Sequence, residues 1–164
     1  MKSILVHSLV TIASLMLIAA PIRASDGELQ ITEAQINRVF ESFEKAAKAK
    51  SVEDFARYMA TDIKIIDVDP DTDEKRVSYN DRATYIHDLT GWFASADSYS
   101  MEHGPLEITI ASDGRSATVK HSQKESWSIA GQKSTKTTFQ SYSFVLEQGQ
   151  LVIRSVTIWL KEPK

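Results

Sequence analysis

The sequence predicts an α+β fold in which a strongly curved antiparallel sheet wraps around three N-terminal helices as a cone-like α+β barrel. Three observations carry the prediction. Apolar residues recur at three and four residues in segments before Ala96, then at two residues from Leu106 onward. Turn signals at Asp113-Gly114, Ala130-Gly131 and Gln148-Gly149 divide the second half into long strands. His103-Gly104-Pro105 interrupts one of those strands, as a bend that curves a sheet would.

Each element has its own warrant. Thr32-Glu33-Ala34-Gln35 has capping-box spacing, and Ile36, Val39, Phe40, Phe43 and Ala47 follow on one stripe, so a helix is expected from Thr32 to Lys48. Ser51 caps a short second helix with Val52, Phe55, Ala56 and Met59 along one side. Ile63 to Val68 is β-branched and reads as a strand, and Asp69 to Lys75, with Pro70 and four acids, reads as a loop. Asn80 or Asp81 opens a third helix that turns Ala83, Ile86, Leu89 and Phe93 inward and ends near Ala96. Strands then run through Leu106, Ile108 and Ile110, from Ser116 to Ile129, from about Thr135 to Leu146, and from Leu151 to Leu160.

Residues 1–24 are expected to be a secretory signal peptide, with Lys2, an apolar run from Ile4 to Ala20, and Pro21-Ile22-Arg23-Ala24 before the cut. The alternative is an uncleaved membrane anchor, against which His7, Ser8, Thr11 and Ser14 interrupt the run. Residues 25–164 then form one domain that is periplasmic or secreted. The chain holds no Cys, which excludes disulfides, thiol catalysis and a lipid-modified Cys. Its net charge of −3, made more negative by loss of Lys2 and Arg23, gives no reason to expect nucleic acid or an anionic membrane surface as partner after cleavage.

The strand from Ser116 to Ile129 is the most informative. One face carries Ala117, Val119, His121, Gln123, Glu125, Trp127 and Ile129, apolar at both ends and polar between. A plain core face would leave those polar groups without partners, so the pattern fits a lined pocket. Trp92, Trp127, Tyr142 and Trp159 would supply apolar walls, or serve as ordinary core. His121 and Glu125 could bracket a substrate as base and acid, or satisfy each other and Gln123 in a structural network. In the last strand Leu151, Ile153, Ser155, Thr157 and Trp159 share one face, and Val152, Val156, Ile158 and Leu160 load the other. With both faces apolar, a homodimer through the outer face is expected.

The order helix, short helix, strand, acidic loop, helix and four curved strands resembles the nuclear transport factor 2-like superfamily, which includes the SnoaL-like polyketide cyclases and the ketosteroid isomerases. The resemblance spans Ile31 to Lys161. It rests on the helix register, on Asp62-Ile63-Lys64-Ile65-Ile66-Asp67, on Asn80-Asp81-Arg82-Ala83 and on Glu147-Gln148-Gly149-Gln150-Leu151. It implies the cone-like fold and licenses no single activity, since the superfamily includes enzymes and non-catalytic binding or assembly modules. The ketosteroid isomerase relatives place a base Asp before a Pro at the end of the first strand, which points to Asp67, or to Asp69 before Pro70; the alternative is a solvated acidic loop. Of the two oxyanion donors such relatives use, one falls near Phe43, which has none, and the other near Tyr142, whose hydroxyl could donate.

Other signatures fail. Asp67, Asp69 and Asp71 begin like a calcium loop, but Thr72 stands where Gly is needed and Ser78 where Glu is needed. Ser42 and Lys45 have nucleophile-pair spacing without a supporting motif, and His87, His103 and His121 lack zinc spacing, so neither metal nor cofactor is expected. The expected function is an exported SnoaL-like pocket protein for a small hydrophobic molecule, with Asp67, His121 and Tyr142 as candidate catalytic residues of a cofactor-independent isomerase, lyase or cyclase. Gln123, Glu125, Trp127, Trp159 and Trp92 are the candidate binding residues. The alternative is a non-catalytic dimeric binding or assembly module.

Overall fold

The computed structural model describes residues 30–69 and 71–160; the expected signal peptide lies outside them. Helix α1 (Glu33–Ala49) starts at Thr32, where the hydroxyl accepts from the Gln35 amide and the Gln35 side chain accepts from the Thr32 amide, the reciprocal capping box read from the sequence. Its buried stripe holds Ile36, Val39, Phe40, Phe43, Ala46 and Ala47. Lys50 closes the helix in the left-handed conformation, and its Nζ donates to the Ala96 carbonyl at 2.8 Å, tying the end of α1 to the end of the third helix. Helix α2 (Val52–Ala56) is capped by Ser51, and α3 (Arg82–Ser95) by Asp81.

The strands are β1 (Met59–Val68), β2 (Lys75–Tyr79), β3 (Ser98–His103), β4 (Glu107–Ile110), β5 (Ser116–Ile129), β6 (Gln132–Glu147) and β7 (Gln150–Trp159). They form one unclosed sheet in the order β2-β1-β7-β6-β5-β3, with β4 following β3 along β5. All neighbours are antiparallel except β1 and β7, which run parallel. Gly104 and Pro105 fall in the break between β3 and β4, where the Gly104 amide still donates to the Ser122 carbonyl at 2.8 Å, so the edge bends without leaving β5. The turns Ala130-Gly131 and Gln148-Gly149 hold both central residues at positive φ, the primed geometry that matches strand twist.

Helices pack on one face of this sheet, called inner here. The core joins α1 and α2 to Ile63, Phe93, Met101, Ala117, Val119, Tyr142, Phe144, Ile153 and Val156. Phe40 sits at its centre with its ring centroid 4.9 to 6.2 Å from those of Phe43, His103, His121, Tyr142 and Phe144.

Four local expectations need correction. Met59 begins β1 instead of extending the α2 stripe, and the strand starts four residues before Ile63. Lys75–Tyr79, with Lys75 assigned to a loop and Arg76 to Tyr79 to no element, pairs with β1; the hairpin is held by Asp69, whose carboxylate accepts from the Asp71 and Thr72 amides. Ala83 is exposed, and α3 instead turns Tyr85, Ile86, Leu89, Trp92 and Phe93 toward the core. Last, β7 does not alternate throughout: Phe144 pairs with Ile153 and Ser143 with Ser155, leaving Arg154 as an extra residue. Arg154 turns out to ion pairs with Asp62 and Glu147. Beyond that bulge Val156 and Ile158 face inward with Tyr142 and Gln140, while Trp159 pairs with Phe139 on the outer face.

Gly114 tests the turn at the start of β5. It is buried at φ +67°, its carbonyl accepts from the Ile31 amide at 2.8 Å, and an added Cβ would meet Gln30 Cγ at 2.7 Å. Gly114→Ala is therefore expected to cost about 1–3 kcal/mol through left-handed strain and contact. Urea unfolding of the variant at unchanged m-value checks it, and a midpoint equal to that of the parent chain rejects the account.

Candidate functional site

The inner wall is built by period-two alternation in β5 and β6. The ladder sets His121 opposite Gln140, Gln123 opposite Thr138 and Val119 opposite Tyr142, so six side chains of two strands share one face. His121, Gln123, Thr138 and Gln140 are the buried polar residues of the described chain, with His121 at 6% and Gln123 at 3% exposure.

Hydrogen bonds run along each strand between positions two apart. The Tyr142 hydroxyl donates to Gln140 Oε1 at 2.7 Å, and Gln140 Nε2 donates to Thr138 Oγ1 at 2.9 Å. Gln123 Nε2 donates to Glu125 Oε1 at 2.8 Å, and the Tyr99 hydroxyl bonds the same carboxylate. The Tyr85, Tyr99 and Tyr142 hydroxyls all sit in the field of Glu125. Burial first pushes their ionisation far above the ordinary tyrosine range, followed by that carboxylate at Tyr85 and Tyr99 and by Tyr85 and then the carboxylate at Tyr142, so all three stay protonated.

His121 has one nitrogen committed and one free. Its Nδ1 lies 2.8 Å from the Ser122 carbonyl, an obligate acceptor, so Nδ1 carries the proton. Burial lowers the His121 pKa from 6.5, with His103 adding to the effect and the Ser122 bond opposing it, and the neutral ring then presents a bare lone pair at Nε2. That Nε2 is buried without a hydrogen-bond partner, as is Gln123 Oε1. Tyr142 stacks on the imidazole at 5.5 Å between centroids and Phe40 meets it edge-on, which fixes the ring plane.

The remaining candidates fall in three places. Trp92 on α3 meets Tyr99 at 4.6 Å and Trp127 at 6.1 Å, forming an aromatic wall beside Glu125. Asp67 is half-buried on the same face but at the far side: the pairs Asp67 with Ile158, Ile158 with Gln140 and Gln140 with His121 set it three strands away, roughly 14 Å along the sheet. Its carboxylate accepts from the Ser78 hydroxyl and lines a pocket of about 550 Å³ with Arg76, Lys136, Ile158 and Leu160. Trp159, expected inside, pairs with Phe139 on the outer face, and it lines a groove of about 510 Å³ whose lining also includes His121 and Gln140 of the two wall strands, with Pro105, Lys120 and Phe139. Tyr142 and His121 are thus brought together, and Asp67 is not in reach of either. Phe43, at the position where an oxyanion donor would be sought, is buried core. Among the described residues no group of three His, Asp or Glu side chains is arranged as metal ligands.

Sequence reasoning missed Tyr85, Tyr99, Thr138 and Gln140. Thr138, Gln140 and Tyr142 carry the same polar alternation that marked β5, and that signal was available.

No family model and no curated protein matches the sequence. Solved structures do. A nuclear transport factor 2-like protein with a cystatin-like fold from Novosphingobium aromaticivorans matches with TM-score 0.59 at 13% identity, over 80% of this chain and 82% of its own. A dehydratase, provisionally named, of the nuclear transport factor 2-like family from Streptomyces avermitilis matches with TM-score 0.61 at 12% identity, over 79% and 96%. A protein provisionally named a scytalone dehydratase, also from Novosphingobium aromaticivorans, gives TM-score 0.60 at 15% identity, over 75% and 79%. The chain has the nuclear transport factor 2-like fold. Here the sheet face that the helices cover holds the unpartnered acceptors His121 Nε2 and Gln123 Oε1.

The depressed His121 pKa gives a stability test. Below about pH 6.5 the unfolded chain takes up a proton that the folded site refuses, so stability falls with pH. His121→Asn removes that component: between about pH 7.5 and pH 5 the parent chain is expected to lose more unfolding free energy than the variant. Parallel losses would show that His121 is not neutral and buried in solution.

Proposed function

We propose that this nuclear transport factor 2-like chain is an exported, SnoaL-like pocket protein that binds a small, largely apolar molecule between α3 and the β5–β6 wall. The observation that carries the reading is the pair of buried acceptors without partners, His121 Nε2 and Gln123 Oε1, beside aromatic side chains. An acceptor buried and unmade costs about 1–3 kcal/mol, which a donating ligand recovers. Apolar walls with a few convergent polar groups are the usual make-up of small-molecule sites.

The two neighbours named as dehydratases support extending the reading to a cofactor-independent lyase, isomerase or cyclase. In that chemistry His121 Nε2 takes the proton, Tyr142 holds the imidazole plane by stacking, and Asp67 meets the opposite end of the molecule. The Tyr142 hydroxyl is already given to Gln140 and Phe43 has no donor, so the two-donor oxyanion arrangement is not the basis of the proposal. A second reading, a non-catalytic dimeric binding or assembly module, is favoured by the groove at Phe139 and Trp159.

Native mass spectrometry of the purified protein separates them by reporting retained ligand and subunit count together. The binding reading expects a small molecule that is lost in Trp127→Ala and kept in Trp159→Ala. The dimer reading expects two subunits, reduced to one by Trp159→Ala. A protein recovered empty, whose tryptophan fluorescence answers to no apolar ligand, removes the pocket. If His121→Asn and Asp67→Asn both turned over a retained substrate at the parental rate, the catalytic extension would be wrong.

A further inference from the structure

We propose that the molecule held on the inner face is an organic ammonium ion, an apolar body ending in N–H donors, gripped by Glu125 between Trp92, Tyr99 and Trp127. The inference rests on the binding reading above and narrows it to a chemical class.

An ionised carboxylate only accepts, so the Gln123 side chain facing Glu125 at 2.8 Å must present its nitrogen there, and its oxygen is left unpaired. His121 spends its single proton on the Ser122 carbonyl and leaves a lone pair at Nε2. The Tyr99 hydroxyl is used on Glu125 and the Tyr142 hydroxyl on Gln140. The two buried atoms left without partners, His121 Nε2 and Gln123 Oε1, both accept, so a ligand that satisfies them has to donate.

Glu125 is half-buried, and among the described residues it forms no ion pair with Lys or Arg; Lys136, across the ladder from it, is exposed. Met101 on β3 is its other ladder neighbour, and Tyr99 with Trp127 is the next pair along. A carboxylate drawn into aromatic surroundings lowers its free energy by taking up a cation, and ring faces add their own attraction to it. The same field that holds the three tyrosine hydroxyls protonated would repel an anion. A neutral alcohol satisfies the acceptors and leaves the charge unanswered, so the ammonium is the better fit.

Tryptophan fluorescence and titration calorimetry on the purified protein test this with phenethylammonium chloride against phenethyl alcohol and phenylpropionate. Phenethylammonium is expected to bind saturably, about tenfold or more tighter than the alcohol, with phenylpropionate weakest. Glu125→Gln should remove most of the preference for the ammonium while leaving the alcohol's affinity nearly unchanged. Equal affinity for ammonium and alcohol in the parent chain overturns the inference and leaves the binding reading standing; that comparison needs no variant to fold. Binding of none of the three probes, together with no retained ligand in native mass spectra, overturns both.

Discussion

The structure depends on one uninterrupted ladder. All fourteen residues of β5 pair with β6, and because side chains alternate along both strands, a single register fixes the inner wall from Ala117 and Phe144 to Trp127. A slip of one residue would send His121, Gln123 and Tyr142 to the outer face and bring Lys120, Ser122 and Lys124 against Phe40. That alternative would bury cations without partners against an aromatic core, so the register is secured by the cost of its competitor as much as by its own contacts. Helix α1 supplies the other half of the constraint. Phe40 and Phe43 project from it into the space that the ladder leaves, and the capping box at Thr32 and the Lys50 closure hold the helix in length and position.

The wall that results is a compromise between packing and hydrogen bonding. Tyr142, stacked on His121 and edge-on to Phe40, contributes as an apolar ring, while its hydroxyl begins the relay to Gln140 and Thr138. The relay satisfies β6 almost entirely from within. On β5 the equivalent relay stops at Glu125, and the two atoms left over, His121 Nε2 and Gln123 Oε1, have no counterpart on the strand opposite. Replacing His121 and Gln123 by apolar residues of similar size would remove two desolvation penalties. Their presence is therefore a local loss of stability, of the kind expected where a surface is shaped for something other than folding.

The legible parts of the sequence were those governed by strong local rules. The α1 cap, the type and ends of β5 and the Ala130-Gly131 and Gln148-Gly149 turns each follow from a few adjacent residues. The bulge at Arg154 does not, because a single extra residue leaves an alternating sequence looking unbroken, and the face of Trp159 was lost with it. Strand β2 was hidden for a different reason: Lys75-Arg76-Val77-Ser78-Tyr79 is a short edge strand with little apolar content, defined by pairing to β1. The cluster around Glu125 brings Tyr85 from α3 and Tyr99 from β3 to β5, and no spacing rule connects residues that meet only through tertiary packing. Asp67 was legible as an inward carboxylate and not as a distant one, since distance across a sheet is set by strand order.

Strand order also decides how the two ends of the inner face can cooperate. With β7 and β6 inserted between β1 and β5, Asp67 and His121 occupy one row of side chains, separated by Ile158 and Gln140. Neither group can shift the other's protonation by direct contact, and no proton passes between them without a molecule or water lying along that row. Asp67 instead accepts from the Ser78 hydroxyl, and its charge reaches Tyr79: burial, the bond to Asp88 and, more weakly, the Asp67 charge raise the Tyr79 ionisation. Glu125 stands one strand from the sheet edge formed by β3, four residues after His121 on β5 and across from Lys136. Of Asp67 and Glu125, it is Glu125 whose charge reaches Tyr85, Tyr99 and Tyr142, so the electrostatics of the inner face there are set from the β5 side.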